Sequence, residues 1–291
     1  MVVVNRDSRR SRATIPRLYD AVERRGIRVA AFHPVDGHAA VTDAIRRAAK
    51  AGAPCVIVGG GDGTQTAAVG ALVHRDTVLG VLPLGTGNSF AQSLNIGDEI
   101  EAALDVIAGG HVGTVDVGRV NGVYFANFAT IGLSSAIART TPRGLKALLG
   151  PVAYGLAALR PLVRRRAFRA VVRYDGGRLR VRTHDVVVAN GRFFGSHPIS
   201  GDATLDDARL TLVLREGGSS LDALRGYLAY ASDGKEHSPD AHTVSATRFT
   251  IRTRVAQPVA IDGMAVGSTP ARFTVVPSAL RVYVPRAGIA R

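Results

Sequence analysis

Residues 56–64 read Val-Ile-Val-Gly-Gly-Gly-Asp-Gly-Thr: three apolar residues, a glycine loop carrying one carboxylate, and a threonine that opens a helical stretch. An unbroken apolar strand suits a parallel sheet covered on both faces. Glycines have no Cβ, so their backbone can approach phosphate oxygens closely. The helix N-terminus that follows offers unpaired N–H groups and a partial positive charge. The loop lies at the carboxyl end of its strand, where open α/β sheets bind ligands. No Gly-Lys-Ser/Thr follows, which excludes the Walker pattern. Taken alone, the loop also reads as a strand-to-helix turn that needs glycine.

Working outward, residues 2–4 and 27–32 read as short buried strands, and 16–24 and 39–50 as helices. Beyond the loop come a helix over 64–73, a strand over 78–83 and a helix over 100–108. This alternation predicts an α/β N-terminal domain with a parallel sheet. After it the texture changes. Residues 115–120 and 123–128 flank Asn121-Gly122, the favoured hairpin turn. A second hairpin, 168–174 and 178–182, is joined through Asp175-Gly-Gly. Alternating strands follow at 185–189, 210–214, 248–253 and 272–276. The expected organisation is an α/β domain over 1–113 and a mainly antiparallel β domain over 114–291. The boundary falls near Gly113, and the extreme C-terminal tail is a candidate to pack back on the first domain.

The chain has 291 residues, 46% of them hydrophobic, enough for one large or two modest cores. Its 37 Lys+Arg against 23 Asp+Glu leave a net charge of +14, which favours anionic partners without choosing among them. A single cysteine, Cys55, excludes an intrachain disulfide framework and any Cys-rich metal site, and fits a cytoplasmic location. The opening Met-Val-Val-Val-Asn is too short for a signal peptide. The longest nearly apolar stretch, 147–159, is bracketed by Lys146 and Arg160 and falls short of the about 20 residues that span a bilayer.

Residues 82–91 read Leu-Pro-Leu-Gly-Thr-Gly-Asn-Ser-Phe-Ala: again a strand end, a glycine turn and a helix start. The two loops follow neighbouring predicted strands. With them in view, the chain resembles the diacylglycerol kinase catalytic-domain family, which includes sphingosine kinases and bacterial lipid kinases. The resemblance rests on an ordered set. Gly60-Gly-Asp-Gly-Thr64 is followed by Pro83-Leu-Gly-Thr-Gly-Asn88, then Val115-Asp-Val-Gly with Phe125 and Asn127. The basic stretch around Arg164, Leu205-Asp-Asp207 and Asp262-Gly263 complete it. It implies an NAD-kinase-like or flavodoxin-like first domain that binds ATP with Mg²⁺, and a second domain that takes a lipid substrate. Carried over by position, nucleotide contacts fall on Asn5, Arg9, His33, Gly60, Gly61, Asp62, Gly63, Thr64, Gln65, Thr66, Gly85, Thr86 and Asn88. His33 stands where the family usually has Thr. Thr66, Ala67 and Ser89 replace the usual Asn, Glu and Asp.

Asp62, the only carboxylate of the first loop, is implied to join a water-bridged network to Mg²⁺. A structural metal site is implied at Asp207, with backbone oxygens of Thr204 and Arg209; Ala208 replaces the family's glycine there. The family's general base is the Glu of an Asp-Gly-Glu triplet, and this chain has Asp262-Gly263-Met264. A thioether accepts no proton. Losing a general base costs about 10²- to 10⁴-fold.

Three accounts follow: Asp262 acts as the base, the acceptor needs little base help, or the protein is a nucleotide- or lipid-binding pseudokinase. NAD kinase shares the first loop but lacks the lipid-kinase form of the second. Residues 139–182 hold twelve Lys/Arg and one acid, Asp175, and include a largely apolar stretch over 145–159 that is followed by Arg164, Arg165 and Arg166. An apolar helix ending in cations suits an anionic membrane surface as well as a site buried against the β domain. Peripheral membrane association is therefore expected. No RNA-binding signature points to nucleic acid, and a homodimer stays open.

Overall fold

Val2, Val3 and Val4 are fully buried, and they form a strand that sits between two others. The structure is a computed structural model that describes residues 1–7, 9–135, 167–194, 197–199, 203–217 and 241–290. The expected apolar helix and the Arg164–Arg166 run lie outside the described residues.

The chain divides into two units. The first comprises Met1–Val117, Thr204–Ala208 and Val276–Arg291; the second comprises Gly118–Ala203 and Arg209–Val275. In the first half the order is β1 (Val2–Asn5), α1 (Arg9–Glu23), β2 (Phe32–Val35), α2 (Gly37–Lys50), β3 (Cys55–Gly60), α3 (Asp62–Leu72), β4 (Val78–Pro83), α4 (Ser89–Ser93) and α5 (Ile100–Gly109). Strands follow: β5 (Val112–Val120), β6 (Val123–Phe125), β7 (Phe128–Gly132), β8 (Phe168–Tyr174), β9 (Gly177–Thr183) and β10 (Asp185–Ala189). Then come β11 (Phe193–Phe194), β12 (His197–Pro198), β13 (Leu210–Arg215), β14 (Ala241–Ala246), β15 (Arg248–Thr253), β16 (Pro258–Ile261), β17 (Met264–Ser268) and β18 (Ala271–Tyr283).

In the first unit β2, β1, β3 and β4 lie side by side and parallel, and the end of β18 joins β4 in parallel through Val282 and Leu79. Helices α2 and α3 pack together, as do α1 and α5. The expected strand over 27–32 is corrected: β2 begins at Phe32 and runs through His33 and Pro34. Proline lacks an N–H, which reads as a stop, yet β2 is the sheet edge, where proline is tolerated.

The second unit is antiparallel. One sheet runs β14-β13-β10-β7-β16-β17; the other pairs the start of β18 with β15, β15 with β8, and β8 with β9. Its core is Val172, Val186, Leu212, Phe249, Ile251 and Phe273 with their neighbours. Asn121 (φ 48°) and Gly122 (φ 93°) form the left-handed turn of the β5–β6 hairpin. The expected strand over 123–128 is broken, because β6 stops at Phe125 and β7 starts at Phe128. The backbone between them is engaged by a carboxylate described below. Among the described residues no helix is long and apolar enough to cross a membrane.

Candidate phosphate site and a capped turn

In the first unit, β3 and β4 end side by side, with Gly60 paired to Pro83, so both glycine loops leave the carboxyl edge of the sheet together. The loops then touch backbone to backbone. A Cβ added at Gly85 would lie 2.4 Å from the Gly61 Cα, and one at Gly60 would meet the Thr64 side chain at 2.5 Å. Glycine is the only residue that permits this approach. The Leu84 N–H donates to the Gly60 carbonyl at 3.1 Å, joining the loops. Asn88, in the left-handed region at φ 52°, closes the second loop on itself: its Oδ1 accepts from the Gly85 N–H at 2.8 Å and its Nδ2 donates to the Gly85 carbonyl at 3.1 Å.

Helix α3 starts in the first loop, with Gly61 as N-cap and Asp62 in its first turn. The N–H groups of Thr64 and Gln65 both bond to the Gly61 carbonyl. Those of Asp62 and Gly63 precede any helical acceptor, as first-turn donors do. Desolvation raises the Asp62 pKa; amides of Phe90, Ser89 and Asn88 and the Ser89 hydroxyl oppose that rise. Its Oδ1 is buried without a hydrogen-bond partner. A buried carboxylate oxygen left unmatched is costly unless a cation or water meets it. Glycine backbone, first-turn amides and this oxygen fit a polyphosphate with a hard cation.

Of the other expected nucleotide residues, Asn5 is buried at the end of β1. Its Nδ2 donates to the Thr64 Oγ1 at 3.0 Å, and its Oδ1 accepts from the N–H groups of Asp7 and Gly37. It braces the loop. Gln65 turns inward, donating to the Val58 carbonyl at 2.9 Å, and the Thr66 hydroxyl donates to the Asp62 carbonyl at 3.0 Å. Both side chains serve the helix and strand ends. Thr86 is exposed at the loop tip. Arg9 is the first residue of α1. His33 is exposed and pairs with Val3, two residues short of the strand end that carries Asn5.

Asp116 carries a role that sequence reading missed. It is buried; its Oδ2 accepts from the Ala208 N–H at 2.6 Å, its Oδ1 from the Ser278 N–H at 2.8 Å, and its own N–H donates to the Leu205 carbonyl at 2.7 Å. One carboxylate thus ties the Thr204–Ala208 loop and the C-terminal segment to β5. The signal was a charged residue inside an apolar strand. Ala208 holds φ 56°, a left-handed conformation that glycine would adopt without strain. Asp207 precedes it and is half-buried, with Thr204 in the same loop; Arg209 starts the neighbouring stretch of the second unit, and its Nη2 donates to the Ser245 carbonyl at 2.6 Å. Among the described residues, no group of three or more His, Cys, Asp or Glu gathers as a metal site.

In the second unit, Asp262 and Gly263 (φ 43° and 80°) are the two-residue turn between β16 and β17, with Ile261 opposite Met264. The Asp262 side chain is buried, and its oxygens accept from the N–H groups of Ala126 (2.9 Å), Asn127 (3.2 Å) and Phe128 (2.9 Å). This is why β6 and β7 are separate strands: the backbone between them is spent on the carboxylate. Met264, the first residue of β17, is half-buried beside this turn. Gly118 lies opposite Phe125, and a Cβ there would fall 2.1 Å from the ring.

The comparisons with known proteins agree over both units. The family model for the diacylglycerol kinase catalytic domain matches residues 1–120, and that for the YegS C-terminal NAD kinase beta sandwich-like domain matches residues 128–284. A protein of Staphylococcus aureus (strain bovine RF122 / ET3-1) named diacylglycerol kinase is 32% identical over 235 residues, covering 79% of this chain and 74% of that protein. One of Staphylococcus saprophyticus with the same name is 28% identical over 277 residues, covering 94% and 90%. Two solved chains from Bacillus anthracis str. Sterne, one described as a diacylglycerol kinase, share the fold. They have TM-scores of 0.72 and 0.81 at 22% and 23% identity; each covers 99% of this chain, and 97% and 95% of its own length is matched. With both units matched in order, the chain belongs to the diacylglycerol kinase family.

Proposed function

We propose that the protein is an ATP-dependent lipid kinase that phosphorylates a hydroxyl of a diacylglycerol-like or sphingoid-like lipid. The observation that carries this reading is the backbone contact between Gly61 and Gly85 at the edge of a parallel sheet, beside an unmatched buried oxygen of Asp62. Bound ATP supplies the phosphoryl group, and Mg²⁺ offsets charge on the phosphates. The amides of Asp62 and Gly63 and the exposed Thr86 would hold the phosphates, and Asp62 would supply the carboxylate for the cation. In the transfer, the acceptor oxygen gains a bond to phosphorus, the bond to the ADP oxygen breaks, and with no side-chain base the hydroxyl proton passes to solvent water.

Asp262 serves the acceptor side as a positioning residue, because its oxygens already receive three backbone N–H groups. Met264 offers no base. In a loose phosphoryl-transfer transition state, positioning and electrostatics carry most of the catalysis, so the chain is a slow kinase. The same methionine also favours a second reading, a nucleotide- or lipid-binding pseudokinase.

Turnover of radiolabelled ATP against a panel of diacylglycerols and sphingoid bases decides between them. The parent should transfer label slowly. Met264→Glu, similar in length, should raise the rate at least about tenfold with nucleotide affinity nearly unchanged, since the gain falls in the transition state. No transfer by either protein to any lipid rejects the kinase reading. Brisk turnover by the parent that Asp262→Asn abolishes without unfolding would make Asp262 the base instead.

A further inference from the structure

Strands β9, β8, β15 and β18 of the second unit present two faces. One face, with Val172, Phe249, Ile251 and Phe273, is buried in the core. The other is exposed and bears arginine on every strand. Register places Arg173 directly opposite Arg178, and Arg169 opposite Arg182. Thr250 lies between Arg173 on one side and Arg272 on the other, so one row crosses four strands as Arg178, Arg173, Thr250 and Arg272. Arg180 and Arg252 flank Val171 in the next row. Toward the β5 edge the face deepens into an open groove of about 660 Å³ lined by Arg119, Arg252 and Arg272 with Thr250 and Thr274.

Like charges directly opposite one another weaken a sheet. The crowding registers on Arg178, whose pKa is lowered by Arg180 first, then by burial and Arg173. Neutralising acids are scarce. Asp175, at the β8–β9 turn, pairs with Arg248 at the corner of the face, and no acid pairs with the other arginines of the face among the described residues. An external anionic surface would offset this repulsion.

We propose that this arginine face docks on an anionic lipid bilayer. A sheet face holds its charges in a fixed lattice, with strands about 4.8 Å apart and alternate residues about 6.8 Å apart. It meets a field of headgroups as a surface, each cation adding to the attraction. A second copy of the chain would set like charge against like. Single-stranded nucleic acid would call for aromatic platforms; no aromatic residue lines the groove among the described residues, and the Tyr124 ring is covered by Arg119 at 5.5 Å. The docking partner rests on the lipid-kinase reading, which supplies the reason to reach a membrane.

The test is sedimentation of the full chain with vesicles of phosphatidylcholine, with and without phosphatidylglycerol, over a salt series. The parent should bind the anionic vesicles and release them as salt rises. Arg173→Glu, Arg180→Glu and Arg252→Glu combined, all exposed positions, should lose at least tenfold in partitioning while melting like the parent. A control of equal charge change on exposed positions of the first unit, Arg24→Glu, Arg28→Glu and Arg46→Glu, should stay within about twofold. Equal losses in both variants, equal binding to neutral vesicles, or stronger face-dependent binding to single-stranded RNA would overturn the proposal. A short-chain diacylglycerol dissolved as monomers separates the two readings. The face variant should phosphorylate it at the parent's rate, and face-dependent docking without any lipid phosphorylation would sink the kinase reading alone.

Discussion

Asp262 is a buried carboxylate of the second unit and Asp185 a half-buried one, and their partners differ in number. Asp262 receives three backbone N–H groups. Asp185 receives the Ser134 N–H at 3.1 Å and the Ser134 hydroxyl. Burial outweighs these bonds and the Val186 amide, and pushes the Asp185 pKa up from 3.8 to about 7. The folded protein therefore holds a proton that the unfolded chain releases above about pH 4. Stability from this group is complete below the unfolded value and is lost as pH rises toward 7, by about 1.4 kcal/mol per unit at most. Asp185→Asn keeps an acceptor for the Ser134 N–H and removes the titration. Its melting temperature should fall less than the parent's between pH 5 and pH 8, so the two curves converge or cross. A parent–variant gap that stays constant over that range contradicts the assignment.

Among the elements, the glycine loops are the most exacting, because each is shaped by the other. Gly85→Ala would push a methyl group against the Gly61 backbone, which cannot rotate away as a side chain can. Overpacking of this kind costs about 1–3 kcal/mol. Mg·ATP should raise the parent's melting temperature by mass action. Gly85→Ala should lower the baseline melting temperature and abolish most of that response, and Asp62→Ala should weaken the response. A full nucleotide shift in Gly85→Ala would show that the loops act independently.

The loops were legible because strand, glycine run and helix start adjoin in sequence. Their contact was not, since it joins residues 61 and 85 across two strands. Likewise Asn121-Gly122 announced its hairpin, whereas β2 was misplaced because Pro34 reads as a breaker anywhere but at a sheet edge. Asp262-Gly263 stands out for its chemistry, and the same pair is also a two-residue turn. Its hold on Ala126, Asn127 and Phe128 spans more than 130 positions, which no local pattern reveals.

At the scale of the whole molecule, the first unit draws on three separate stretches, and its last piece is Val276–Arg291. Ala279, Leu280 and Val282 are buried, the Ala279 carbonyl accepts from the His74 N–H at 2.8 Å, and the Val284 N–H donates to the His111 carbonyl at 2.9 Å. A chain ending at Val275 should therefore lose the Mg·ATP shift and the cooperative melt of its first unit; an intact, sharp transition in calorimetry would contradict this. The same arrangement bears on biosynthesis. At about 5–20 residues per second, tens of seconds or so pass between the emergence of β4 and that of its partner strand. Through that interval the β4 edge lacks its neighbour, and bare sheet edges invite pairing with other chains. The first unit, begun before the second, is thus among the last to be finished, and the nascent chain has most need of chaperone cover while its second unit is being synthesised.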